Sequence, residues 1–183
     1  LSALPRKSVS GNRYTHRNLL RGDELRVGRT EAPAHDSARP LQPNAVDLRV
    51  DKIFSLKNEV FSISEDSKKH RGSEEVMPVD GYFELEPGTY EILMENIVNI
   101  PEGYAGWVIT RSTLNRNGLF ITSGLYDSGY HGVMAGCLHV EHGAAKIEKG
   151  SRVGQFLLFE AETFSMYDGD YGIGKEHDKK YGN

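Results

Sequence analysis

Short hydrophobic runs recur along this chain, and turn-forming residues separate them. From residue 45 to residue 160 the runs are rich in Val, Ile, Leu and Phe, and Gly or Pro marks many of their ends. Many short strands at such close spacing predict an all-β sandwich or barrel. The predicted strands are residues 45–50, 53–63, 82–85, 89–94, 104–110, 119–122, 132–141, 145–147 and 152–160. In this region only residues 112–117 have the pattern of one or two helical turns.

Polar segments flank this region and divide the chain into three parts. Residues 1–40 are polar and interrupted by Gly and Pro, with one short helix predicted at residues 17–26. Residues 41–165 form the predicted β domain, and residues 166–183 form a C-terminal tail. Within the β domain, the charged run at residues 65–75 predicts a solvated loop, because such runs rarely pack.

Length and charge limit the classes of function. The chain has 183 residues, enough for one domain with a sizeable core, and its net charge is −4. An acidic balance argues against a nucleic-acid or membrane partner, since both favour a basic face. No apolar run approaches the roughly 20 residues that a membrane span requires. The single cysteine, Cys137, excludes an internal disulfide and fits the reducing cytoplasm.

One segment combines groups that suit phosphate oxygens. Arg111 precedes Ser112 and Thr113 at the start of the predicted helical turn, and Arg116 follows them. The first turn of a helix offers unpaired N–H groups, and guanidinium groups donate in a fork that matches phosphate. Taken alone, the segment is more typical of a helix cap with solvated arginines.

A second segment suits the base and sugar of a nucleotide. Gly124, Gly129 and Gly132 bracket Asp127 and Tyr130, so the backbone can approach a ligand closely and fold into a tight hairpin. Backbone amides of such a hairpin can bind the edge of a pyrimidine, and an aromatic ring can pack on a deoxyribose. The alternative is an ordinary turn with a structural Asp, since Asp and Gly are common in turns.

Together with two further segments these form an ordered set. The sequence Asn-Ala-Val-Asp-Leu-Arg occupies residues 44–49, and Lys-Gly-Ser-Arg-Val-Gly-Gln occupies residues 149–155. In this order and spacing, the four segments resemble the motifs of the dUTPase and dCTP deaminase superfamily between about residues 41 and 159. The resemblance implies a distorted β jelly roll that assembles as a homotrimer. It also implies Mg²⁺ as cofactor and dUTP, or a related pyrimidine deoxynucleotide, as ligand.

The resemblance also implies roles for individual residues. Asp127 would orient and deprotonate the attacking water, and Tyr130 would pack on the sugar. Asp47 would lie near the Mg²⁺ or, with equal weight, hold a neighbouring Arg. The tail residues Lys180 and Tyr181 would close over the triphosphate, although a flexible terminus explains them nearly as well. The remaining substrate-binding residues are Arg111, Ser112, Thr113, Arg116, Gly124 and Gln155.

One position separates the two reactions of the superfamily. Deaminases that lack zinc carry a proton-transferring glutamate five residues beyond the last Gly of the hairpin, and here that position is Cys137. A neutral thiol transfers protons poorly, and Glu141 would need a change of strand register to replace it. We therefore expect a dUTP diphosphatase. A dCTP deaminase, or a bifunctional enzyme, is the second hypothesis, and a non-catalytic nucleotide-binding regulator is the third.

Overall fold

β-Strands run through most of residues 42–181, the part of the chain that the computed structural model describes. The one α-helix of this part, α1, covers Ser112–Asn115, and a 3₁₀ helix covers Glu176–Tyr181. The strands are β1 (Val46–Leu56), β2 (Ser62–Ile63), β3 (Lys68–Lys69), β4 (Ser73–Glu75), β5 (Tyr82–Leu85), β6 (Gly88–Asn99), β7 (Tyr104–Thr110), β8 (Leu119–Thr122), β9 (Leu125–Tyr126), β10 (His131–Val140), β11 (Ala145–Glu148) and β12 (Arg152–Glu160). The predicted all-β class is confirmed.

A single curled antiparallel sheet contains eight of these strands. Its order is β8-β10-β6-β1-β12-β7-β9, and β4 pairs with the far end of β1. The first half of β1 pairs with β12 and the second half with β6, with register shifts after Leu48 and after Val50. β1 thus joins the two halves of the sheet. The sequence predicts two strands here because the polar residues at this bend interrupt the hydrophobic pattern.

The core lies between the inner faces of the curled sheet. Leu48, Ile53, Ile92 and Leu138 are completely buried there, and β5 contributes Phe83. Alternate residues of these strands point inward, which is the two-residue periodicity of a sheet with one covered face. Burial of such apolar area is the main stabilising contribution to the fold.

Two predicted segments differ in detail from the structure. The run at 65–75 is exposed, as predicted for a solvated loop, yet it contains β3 and β4, because main-chain pairing needs no apolar side chains. The helix at Ser112–Asn115 is shorter than predicted. The N-terminal segment, residues 1–40 with its predicted helix, lies outside the described residues. Within residues 42–181, no helix has the length and apolar character to cross a membrane.

The predicted tight hairpin between residues 124 and 132 is also different. β9 pairs with β7, whereas β10 pairs with β6 and β8, so the two strands lie in different parts of the sheet. The turn at residues 127–130 joins them, and the N–H of Tyr130 donates to the carbonyl of Asp127 at 3.0 Å. Gly129 in this turn has a φ of +88°, which explains why a glycine occupies this position.

Candidate functional site

A buried carboxylate organises the first group of predicted site residues. The Asp47 side chain on β1 is only 1% exposed, and it accepts hydrogen bonds from Arg152 at 3.1 Å and Gln155 at 3.2 Å on β12. Arg111 forms an ion pair with the same carboxylate at 3.5 Å, and Gln42 donates to it at 2.9 Å. We call Asp47, Arg111, Arg152 and Gln155 the Asp47 cluster. These contacts favour the structural alternative for Asp47, because both of its oxygens hold neighbouring side chains.

The short helix α1 begins directly beside this cluster. Arg111 occupies its N-cap position in an extended conformation, and Ser112, Thr113 and Arg116 are exposed. The N–H groups of Leu114 and Asn115 donate to the carbonyl of Arg111, and within residues 42–181 no main-chain carbonyl accepts from the N–H groups of Ser112 and Thr113. A helix end leaves such donors open to solvent or a ligand. The hydroxyl, amide and guanidinium groups predicted to hold phosphates therefore face solvent beside the Asp47 cluster.

Asp127 lies in an exposed turn whose neighbours are buried. Ser128 and Tyr130 are almost fully buried, while Asp127 is exposed. The turn is held by main-chain bonds from Gly129 to Ile100 at 2.7 Å and from Ile100 to Tyr130 at 2.9 Å. The Ser128 hydroxyl donates to the carbonyl of Tyr104 at 2.6 Å. A rigid turn therefore presents a solvent-accessible carboxylate, as general-base chemistry requires.

Two tyrosines build one wall of a pocket of about 590 Å³. The Tyr130 hydroxyl donates to the carbonyl of Val133 at 2.6 Å, and the Tyr126 hydroxyl bonds both the N–H and the carbonyl of Ala135. These bonds satisfy the backbone where β10 shifts register between Val133 and Ala135. Burial raises the pKa of Tyr126 to about 12 and that of Tyr130 further still, so both hydroxyls remain donors. Gly124, a predicted substrate-binding residue, also lines this pocket.

The C-terminal tail covers the same pocket. The Tyr167 ring packs edge-on against Tyr130, and the N–H of Ile173 donates to the carbonyl of His131 at 2.9 Å. At Gly172 the two segments approach so closely that a Cβ on this residue would lie 2.5 Å from the carbonyl oxygen of His131. Lys180 and Tyr181, the predicted lid residues, both line the pocket. The family resemblance implied that Lys180 and Tyr181 lie near the substrate, but it did not predict the contacts of Tyr167, Gly172 and Ile173, because these hydrogen bonds and ring contacts have no local pattern in the sequence.

Few ionisable side chains near Cys137 and in the pocket lining could transfer a proton. Burial, with a smaller contribution from Glu91, raises the pKa of the Cys137 thiol, so it is neutral near pH 7. Glu141 follows β10, is exposed, and does not line the pocket. The carboxylates that line the pocket within the described chain are Glu91 and Asp178, neither of which the sequence analysis had selected. Glu91 is the direct cross-strand partner of Cys137.

The predicted site residues therefore form two groups. Tyr130, Gly124, Lys180 and Tyr181 line the pocket. Within residues 42–181, the pocket lining does not include Asp127 or the Asp47 cluster. It also does not include Ser112, Thr113 and Arg116 of the helix α1 region. The sequence did not predict Arg152 as a partner of Asp47, although Arg152 lies in the same motif as Gln155, at residues 149–155. One described chain thus presents a pocket lined mostly by aromatic and apolar residues and, apart from it, an exposed polar surface around Ser112.

The described side chains offer no ready-made metal site. Among residues 42–181 there is no group of three or more His, Cys, Asp and Glu side chains that could hold a metal ion. Mg²⁺ often binds through substrate phosphates and water with few protein ligands, so this donor set fits an ion that arrives with a polyphosphate. Asp127 has an exposed carboxylate that can face such an ion, whereas the oxygens of Asp47 are already engaged.

The curled antiparallel sheet of the described residues places this chain in the all-β class, among the jelly rolls. The sequence profile of the dCTP deaminase-like family matches residues 16–161. A probable deoxyuridine 5'-triphosphate nucleotidohydrolase of Methanopyrus kandleri is 37% identical over 134 residues, covering 72% of this chain and 86% of that protein. Its counterpart in Halobacterium salinarum is 34% identical over 137 residues, covering 72% of this chain and 82% of that protein.

The chain belongs to the dCTP deaminase-like family. The crystal structure of the 2'-deoxycytidine 5'-triphosphate deaminase of Agrobacterium tumefaciens aligns with a TM-score of 0.53 and 16% identity. That alignment covers 73% of this chain and 43% of the other. At this level of identity the structural match supports the shared fold.

Proposed function

We propose that this chain hydrolyses dUTP to dUMP and pyrophosphate. Relatives at 34–37% identity carry the name deoxyuridine 5'-triphosphate nucleotidohydrolase. The observation that carries the choice within the family is Cys137, a half-buried neutral thiol at the position where deaminases carry glutamate. The exposed carboxylate of Asp127 beside the pocket residues Tyr126 and Tyr130 supplies the group that hydrolysis requires.

In the proposed reaction, water attacks the α-phosphorus and pyrophosphate leaves. Asp127 accepts a hydrogen bond from this water, orients it, and takes its proton as the new P–O bond forms. The rigid turn around Gly129 and Ser128 holds the carboxylate in one place, which lowers the entropic cost of alignment. A Mg²⁺ ion carried by the triphosphate would offset the charge that builds up on the pyrophosphate.

The phosphates would bind on the exposed polar surface. Three kinds of donor face solvent there: the Ser112 hydroxyl, the N–H groups of Ser112 and Thr113, and the guanidinium of Arg116. Arg111 and Gln155 contribute their remaining donors, while Asp47 fixes both side chains in position. The tail residues Lys180 and Tyr181 would close the pocket over the bound nucleotide. A small pyrimidine deoxynucleotide, rather than nucleic acid, is the partner that this arrangement suits, and the cytoplasm is its expected compartment.

Because the pocket and the phosphate surface are separate in one chain, we propose a homotrimer in which neighbouring subunits complete each site. An exposed apolar face supports this assembly: Trp107, Leu125 and Phe159 are each more than 40% exposed on the strands β7, β9 and β12. Trp107 lies directly opposite both Leu125 and Leu157. The same outer face continues to Gln155 and Asp47, so an interface here would adjoin the phosphate-binding side chains.

We expect Trp107→Asp to dissociate the trimer, because a buried carboxylate without a partner destabilises an apolar interface. Sedimentation velocity would show the mass falling from three chains toward one, and dUTP turnover would fall with it. Val60→Asp is the control, since Val60 is 79% exposed between β1 and β2. A wild-type protein that sediments as a monomer while turning over dUTP would contradict the proposed assembly.

We expect Tyr130→Ala to relax discrimination against UTP. The Tyr130 ring lines the pocket with its hydroxyl bonded to Val133, and in the proposed binding mode it packs on the sugar where a 2'-hydroxyl would have to fit. Tyr130→Phe is the matched variant, because it keeps the ring and should keep the preference for dUTP. The measurement is the ratio of kcat/KM for dUTP and UTP. An equal ratio in all three proteins would remove Tyr130 from sugar selection.

Deamination of dCTP remains the second candidate, because Glu91 places a carboxylate in the pocket beside Cys137. One assay separates the candidates: each deoxynucleoside and ribonucleoside triphosphate is incubated with Mg²⁺, and pyrophosphate and ammonia are measured together. Pyrophosphate from dUTP alone supports the diphosphatase. Ammonia from dCTP supports a deaminase or bifunctional enzyme, and tight nucleotide binding without either product supports a regulator.

A further inference from the structure

Glu91 is the pocket carboxylate that the proposed reaction does not use. It lies on β6, its side chain is 17% exposed, and it points to the same side of the sheet as its cross-strand partner Cys137. Its carboxylate oxygens bond two residues of the tail: one accepts from the Tyr181 hydroxyl, and the other pairs with the Lys180 ammonium at 2.9 Å. The carboxylate is therefore engaged by the tail rather than left free in the pocket.

The same end of the tail is held by further contacts. The Lys52 ammonium donates to the main-chain carbonyl of Tyr181 at 3.0 Å. The Tyr181 ring is 5% exposed and packs against Phe54 at 5.9 Å between ring centroids, within an apolar cluster that includes Leu93 and Val133. Burial and the bond to Glu91 raise the pKa of Tyr181 far above its ordinary value, so its hydroxyl is always a donor.

A carboxylate in a pocket for a polyanionic ligand must be neutralised, since two negative charges in a partly desolvated site repel each other strongly. Lys180 supplies that neutralisation only while the 3₁₀ helix Glu176–Tyr181 lies over the pocket. The position of the tail and the charge of the pocket are thus coupled through one ion pair.

We propose that Glu91 is a positioning residue that anchors the C-terminal tail over the nucleotide pocket through Lys180 and Tyr181. The inference rests on the proposed function for its effect on turnover, but the anchoring itself is independent of any substrate. The carboxylate holds the closed tail, and the closed tail lines one side of the pocket with Tyr171, His177 and Asp178.

The first test needs no nucleotide. Hydrogen exchange of residues 176–181 is compared in the wild-type protein, Glu91→Gln and Lys180→Gln, with Glu84→Gln as control. Glu84 pairs with Lys146 at 3.0 Å on the exposed β5–β11 pair and does not line the pocket. We expect exchange at the tail to rise about tenfold in both anchor variants and to be unchanged in the control. Unaltered exchange in Glu91→Gln would overturn the anchor.

The second test measures coupling in catalysis. We expect each of Glu91→Gln and Lys180→Gln to raise the KM for dUTP by about tenfold, and the double variant to be no worse than either alone. Fully additive losses would overturn the proposal, because two residues of one contact cannot fail independently. Loss of a wild-type ammonia signal from dCTP in Glu91→Gln would also overturn it and make Glu91 a proton carrier. Absence of dUTP turnover in the wild type would refute the proposed function, while the exchange result would still decide the anchor.

Discussion

We expect Asp127→Asn to lower kcat for dUTP hydrolysis by about 10²–10⁴-fold and to leave nucleotide binding almost unchanged. The amide keeps the size and the hydrogen-bonding ability of the side chain, but it cannot take a proton from the attacking water. Because Asp127 is exposed in its turn and the turn is held by main-chain bonds, the substitution should leave the fold intact. Pyrophosphate release and calorimetric binding of a non-hydrolysable dUTP analogue measure the two effects separately.

Asp66→Asn is the matched control for this experiment. Asp66 is an exposed aspartate between β2 and β3, so the same chemical change there should alter neither quantity. If turnover survived in Asp127→Asn, the general base would have to be another group and the mechanism would be wrong. If binding were lost together with turnover, Asp127 would instead be part of the binding site for the nucleotide.

The largest effect on stability is expected for Asp47→Ala. This carboxylate holds two arginines and two glutamines in place, and its removal leaves two guanidinium groups close together without their counter-ion. Breaking a buried ion pair from one side costs about 3–5 kcal/mol. Arg111 and Arg152 are 27% and 29% exposed and can recruit some water, so we expect the lower part of this range.

Urea unfolding at one fixed protein concentration measures this loss, because assembly would otherwise shift the apparent stability. Asp51→Ala is the control: Asp51 pairs with Lys149 at 3.0 Å, and both side chains are more than a third exposed. Such a surface pair contributes at most about 1 kcal/mol. Equal losses for the two variants would show that the Asp47 cluster is no more than a surface ion pair.

The contacts of Asp47 favour one of the two roles that the family resemblance implied for it. An aspartate near the phosphates was compatible with a metal ion or with a neighbouring arginine. In the structure it bonds Gln155 and Arg152 across the β1–β12 pair and also contacts Arg111 at the start of α1. In the proposed reaction Asp47 would fix the donors assigned to the phosphates, while an indirect place near the Mg²⁺ stays a prediction.

The division of the site into two groups has a similar consequence. The proposed function assigns the base and sugar to the pocket formed by Tyr130, Gly124 and the tail, and it assigns the phosphates to the polar surface around Ser112. The exposed face around Trp107 and Leu125 adjoins the Asp47 cluster. Sedimentation of the wild-type protein and of Trp107→Asp therefore tests the oligomeric state and the completeness of the site together.

Local pattern in the sequence determined most of the longer strands and the all-β class, whereas the roles of the candidate site residues stay predictions. Alternating apolar positions follow directly from the two-residue period of a strand, so most strands and the all-β class were predictable. The glycine at residue 129 was recognisable as part of a turn, and Cys137 as the residue in the place of a glutamate. These features depend on near neighbours along the chain.

Only the tertiary structure decided which distant segments meet. Asp47 bonds residues 111, 152 and 155, and Glu91 bonds residues 180 and 181, so each contact joins positions about 60–110 residues apart in the chain. Main-chain hydrogen bonding in the sheet places β9 and β10 in different parts of it. The same bonding pairs the exposed charged run with β1 through β4. Such pairings depend on how the whole sheet curls and closes, so a local pattern of residues does not predict them.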